Sequence, residues 1–108
     1  MTRYAVRCGD YADFGDPEEE WSVEGFPNAE AAAEYARRFI RAQIEDLRAE
    51  TGSAEELREM YFRFGEYAFA AGLDPDAWVA HCIANPASRK AEVDYAALEP
   101  RPGKARRA

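Results

Sequence analysis

Positive charge is missing from one stretch altogether. Residues 10 to 24 contain no Lys, Arg or His, against seven carboxylates: Asp10, Asp13, Asp16, Glu18, Glu19, Glu20 and Glu24. Long hydrophobic runs are missing too. No apolar segment approaches the roughly 20 residues needed to cross a bilayer, so no membrane association is expected. The start, Met1-Thr2-Arg3-Tyr4, has no apolar stretch behind a basic one, and no secretory signal is expected from it. Cysteine is scarce: Cys8 and Cys82 are the only two. In the cytoplasmic protein these features predict, both are expected as free thiols rather than a disulfide. His81 is the only histidine, and no paired-ligand spacing of Cys and His appears, which argues against the common zinc frameworks.

What is present describes a folded chain. At 108 residues it is expected to be one domain, spanning residues 1–99, followed by a disordered basic tail at 100–108. A hydrophobic content of 47%, with six Phe, six Tyr and two Trp, argues against disorder in the body. The net charge of −7 is uneven, because Arg101, Lys104, Arg106 and Arg107 are all in the tail. Residues 1 to 99 therefore carry ten bases against 21 acids. Such a body repels nucleic-acid phosphates and steers toward cationic partners. Four tail charges without interleaved aromatics give only weak, salt-sensitive attraction to a polyanion, so no nucleic-acid partner is expected.

Two short segments alternate with period two, the pattern of half-buried strands. Tyr4, Val6 and Cys8 share one face with Arg3, Ala5 and Arg7 on the other. Trp21, Val23 and Gly25 alternate with Glu20, Ser22 and Glu24 in the same way. Antiparallel pairing with partner numbers summing to 27 sets Val6 opposite Trp21 and Tyr4 opposite Val23. It also sets Arg3 against Glu24 and Arg7 against Glu20. Shifting the sum by two keeps the faces but loses one of those ion pairs, so 27 is the expected register. The connection, Gly9 to Glu18, is long for a hairpin. Its Tyr11 and Phe14 are expected to fold back onto the sheet.

Asn28 is a candidate N-cap. After it, Ala32, Ala36, Phe39, Ile40, Ile44 and Leu47 recur at three and four, the stripe of an amphipathic helix over about 28–51 that Gly52 ends. Burying its four large apolar side chains contributes roughly 6–12 kcal/mol at about 1.5–3 each. Glu34, Arg37, Arg38, Glu45 and Arg48 are expected on its wet side. Ser53-Ala-Glu-Glu56 reads as a capping box for a second helix carrying Leu57, Met60, Tyr61 and Phe64, stopped by Gly65. Residues 66 to 71 are a candidate third strand. Asp74-Pro75 opens a third helix with Trp78, Val79, Cys82 and Ile83 inward, and residues 87 to 99 allow a short helix around Val93 to Leu98. The fold expected is α+β and two-layered: an antiparallel β-hairpin, widened by a third strand or a second subunit, packed by one long and two shorter helices.

The segment Leu57-Arg-Glu-Met-Tyr-Phe-Arg-Phe-Gly-Glu66, preceded by Ser53-Ala-Glu-Glu56, resembles a group of small bacterial proteins of unknown function. They share a strand, an acidic loop, a second strand and an Ala-rich helix, so the resemblance covers roughly residues 3 to 70. It implies a shared fold and carries no activity or site residues. This chain departs from the group where Tyr67-Ala68 follows Phe-Gly-Glu, and in lacking a loop histidine.

No catalytic constellation is legible. Asp10, Asp13 and Asp16 stand three apart before Pro17, whereas a calcium loop places acids two apart before a Gly, so neither a metal nor another cofactor is expected. His81 and Cys82 are adjacent on a helix and project about 100° apart, which separates them as a base–nucleophile pair. The function expected is a non-enzymatic protein-interaction module using the acidic loop and a sheet edge, through Tyr11, Asp13, Phe14, Asp16 and Glu18. The partner protein is not specified by the sequence, and the exposed edge makes a homodimer an expectation. A ligand-binding or catalytic pocket near Tyr61, Phe64, Glu66 and Trp78 is the first alternative, and an acidic nucleic-acid mimic the second.

Overall fold

A computed structural model of the chain describes residues 4–100. The expected disorder of the tail beyond Pro100 and the expected Arg3–Glu24 pair lie outside the described residues. The architecture is α+β, with three antiparallel strands in one sheet and three α-helices. Strand β1 (Tyr4–Asp10) is central, flanked by β2 (Trp21–Phe26) and by β3 (Glu66–Phe69), the third strand expected at 66–71. Helix α1 (Ala29–Arg48) packs on one face of the sheet, and α2 (Ala54–Phe64) and α3 (Pro75–Ala84) pack against α1 and each other.

The strands form where alternation predicts them, and Val6, Cys8, Trp21 and Val23 are all buried against α1. The register differs from expectation. Val6 pairs with Val23 and Cys8 with Trp21, a partner sum of 29 rather than 27. Both sums put the same side chains on the same face, so the apolar pattern does not separate them. Two local features favour 29. Gly25 is an extra residue in β2 at φ 96°, so Phe26 comes opposite Tyr4 while Glu24 stays opposite Ala5; glycine occupies that left-handed backbone region at little cost. Nor is the second ion pair lost, because Arg7 Nε reaches Glu20 diagonally, 3.8 Å from Oε2.

Asn28 Oδ1 accepts from the Ala31 amide at 2.8 Å and starts α1 as expected. Phe39, Ile40 and Ile44 are fully buried, together with Tyr35, which the stripe omitted, while Leu47 is only partly covered. Tyr35 is inside because the C-terminal segment packs over α1: the Tyr95 ring centroid lies 5.6 Å from Tyr35 and 5.0 Å from Phe39. The side of α1 expected to be wet is therefore partly covered. Arg48 donates to the carbonyls of Cys82 (2.8 Å) and Ile83 (3.2 Å), and buried Arg41 donates to that of Asn85 (2.8 Å). These cations meet carbonyls at the end of α3, where the helix leaves them unpaired and its dipole is negative. Residues 87 to 99 form two 3-10 turns, Lys90–Val93 and Ala96–Leu98, in place of one short helix.

Ser53 Oγ accepts from the Glu56 amide at 3.1 Å, and Glu56 Oε1 reaches back to the Gly52 amide at 2.7 Å, one residue earlier than a capping box requires. Gly65 closes α2, and β3 begins at the next residue.

Candidate functional site

The outer face of the sheet, turned away from the helices, carries Arg7, Gly9, Ser22, Tyr67 and Phe69. Tyr67 is 1% exposed although it lies on this face. Its ring runs over Gly9, where a Cβ would lie 2.6 Å from Tyr67 Cζ. Only glycine leaves that lane open. The ring thus crosses the central strand from β3, and its hydroxyl donates to Glu20 Oε2 at 2.6 Å, at the entry to β2. Burial raises the Tyr67 phenol above its ordinary pKa, and the neighbouring Glu20 carboxylate adds to that rise. Arg7 stands at the far end, its guanidinium 5.2 Å from the centre of the Phe69 ring.

The acidic connection covers the Tyr67 end of this face. The Tyr11 amide donates to the Gly65 carbonyl at 2.9 Å, which prolongs the β1–β3 ladder by one step and opens the 3-10 turn Tyr11–Asp13. The Tyr11 ring then meets Tyr67 (5.2 Å), Phe62 (5.3 Å) and Tyr61 (5.4 Å). Phe14 packs edge-on against Tyr67 at 5.4 Å, and yet remains 60% exposed. Both aromatics fold back onto the sheet as the sequence predicts. Asp16 Oδ1 accepts from the Glu18 amide at 3.0 Å and caps the second turn, Pro17–Glu19. The loop therefore has internal order: Tyr11 packed inward, Phe14 half-packed on Tyr67, and Asp13, Asp16 and Glu18 exposed.

Two acidic neighbours were missing from the sequence-derived set. Asp10, Asp13 and Glu19 each place one carboxylate oxygen within 4.8 Å of the others. Asp10 and Asp13 stand at i and i+3, a spacing visible in the sequence, whereas Glu19 joins them only because the loop doubles back. Three such oxygens could bind a divalent cation, but calcium takes six to eight.

The alternative pocket residues are placed differently. Tyr61 is fully buried, and its hydroxyl donates to the Glu66 carbonyl at 3.0 Å. Burial, reinforced by the neighbouring Tyr11 hydroxyl, raises its pKa, which keeps it a neutral phenol at physiological pH. Phe64 is 57% exposed. Trp78 faces α1, donating from Nε1 to the Arg37 carbonyl at 2.9 Å, with the Arg41 guanidinium 5.1 Å from its ring. An open depression of about 780 Å³ on α2 is lined by Ser53, Glu55, Glu56, Arg58, Glu59, Phe62 and Arg63, and by none of these four. His81 is exposed and stacks on Trp78, while buried Cys82 has its thiol pushed up to about 11 by burial.

Comparison with protein-family models, with curated proteins and with solved structures found no match to this chain.

Proposed function

We propose that the protein is a non-enzymatic interaction module that binds a protein partner through the acidic loop on the outer face of its sheet. One observation carries this reading. Phe14 packs against Tyr11 and Tyr67 yet keeps 60% of its surface in water, in a loop whose Asp13, Asp16 and Glu18 are exposed. An apolar anchor with a charged rim is the arrangement that protein contacts use. A small-molecule reading has less support, since the hydroxyl of Tyr61 and the indole of Trp78 both point into the fold and are bonded to backbone carbonyls there.

Affinity capture from a bacterial lysate tests the proposal, comparing wild type with a Phe14→Ala, Asp13→Asn, Asp16→Asn variant of matched thermal stability. The partner held by the wild type is expected to be lost. Retention of every bound protein by the variant would overturn the reading.

A further inference from the structure

The free edge of β2 gives this surface a second feature. The Tyr11 amide bonds to Gly65 across the β1–β3 ladder, and the Glu66 amide turns away from β1 to Gln43 Oε1 at 3.2 Å. Backbone groups alternate sides along a strand, so Gly9 and Arg7 address β3 while Cys8 and Val6 address β2. In β2, Trp21 and Val23 then bond to β1, and the N–H and C=O groups of Ser22 and Glu24 point outward. Both residues are exposed, and among the described residues no strand pairs with them. The other edge is treated differently, since Gln43 covers β3 at Glu66 and Tyr61 takes its carbonyl.

The geometry points to β2 as the acceptor for an extended, arginine-bearing segment of the partner, added as a fourth strand beside Ser22 and Glu24. This rests on the acidic-surface reading above. Charge selects the occupant. A strand laid along β2 would project alternate side chains next to Glu20 and Glu24, which alternate with the buried Trp21 and Val23. The fold already contains a template for the contact on the opposite side of β2. There Arg7 is paired across from Ser22, its Nε lies 3.8 Å from Glu20, and its guanidinium rests on Phe69. An arginine on the free side of β2 would meet Glu24, and Glu20 from the side away from the Tyr67 hydroxyl that already donates to its Oε2, and keep its planar group for stacking. A second copy of the chain, centred on Ser22, fits less well. Symmetric antiparallel pairing centred on Ser22 sets Glu20 against Glu24 of the other copy twice, and facing like charges are destabilising.

The test uses a fluorescein-labelled Thr-Arg-Thr-Arg-Thr-Arg peptide and anisotropy at physiological salt. Two further peptides of identical charge carry backbone N-methyl groups, one on the Thr positions and one on the Arg positions. Strand addition requires the N–H groups of one alternate set only, so one methylated peptide should bind like the parent and the other at least 10-fold more weakly. Glu24→Lys should weaken the parent by a similar factor. Equal binding of all three peptides would mean attraction by charge alone, and no binding of any would mean no acceptor edge. Either result overturns the strand-addition inference, while partner capture through Phe14, Asp13 and Asp16 is judged by its own variant.

Discussion

Gly9 and Tyr67 hold the loop in place. Gly9→Ala puts a methyl group 2.6 Å from Tyr67 Cζ, so the ring must leave its lane. We expect a loss of about 1–3 kcal/mol by urea denaturation, the range for overpacking a filled site. Tyr67→Phe keeps the ring but removes the donor to Glu20. It should cost about 1.5 kcal/mol, the low end for a bond to a charged group, because Glu20 retains some access to water. A Gly9→Ala protein as stable as wild type would mean the ring does not lie there. The phenols give a pH test. Burial raises Tyr11, Tyr61 and Tyr67 above the ordinary value near 10. Groups raised in the fold contribute stability that is present below pH 10 and lost as pH rises through their folded values. Ultraviolet titration should therefore show these three of the six tyrosines still protonated past pH 10, ionising together with unfolding. The position of Tyr11 was legible because an aromatic in an acidic loop gains by leaving water, whereas the exposure of Phe14 was not. The crossing of Tyr67 was not, since it depends on which strand lies beside Gly9.

Among the elements, α1 was the most legible. Its three-and-four spacing survives any tertiary context, and Asn28 marks its start. The hairpin was legible in its faces and missed in its register. An apolar alternation is blind to a shift of two, and the features that decide it, the Gly25 bulge and the diagonal reach of Arg7, lie outside that pattern. The C-terminal segment was barely legible, because arginine–carbonyl contacts hold it, and carbonyls carry no sequence signature. Arg48 tests that attachment: its guanidinium joins two carbonyls of α3 and the Glu45 carboxylate. Arg48→Ala is expected to lower stability by about 2–3 kcal/mol, as lost charge-assisted bonds to buried carbonyls should. In native hydrogen exchange the amides of α3 should open first. Unchanged exchange there would mean that α3 is held by its apolar stripe alone.

For the molecule as a whole, the two faces of the sheet divide the work. The inner face carries the core, with Val6, Cys8, Phe39, Ile40 and Tyr35 fully buried. On the outer face a buried Tyr67 supports an exposed Phe14, in a loop whose carboxylates Asp13, Asp16 and Glu18 are exposed. No helix among the described residues is long and apolar enough to cross a membrane. The excess negative charge and its concentration in residues 10 to 24 were read directly from the sequence, but the seat of Phe14 on the Tyr67 ring was not. The most direct measurement is a nuclear magnetic resonance map of amide shifts as the Thr-Arg-Thr-Arg-Thr-Arg peptide is added to the full chain. Strand addition predicts shifts grouped along β2, largest at Ser22 and Glu24 on its free edge. Shifts gathered instead along the Ser53–Arg63 side of α2, or none at millimolar peptide, would contradict it.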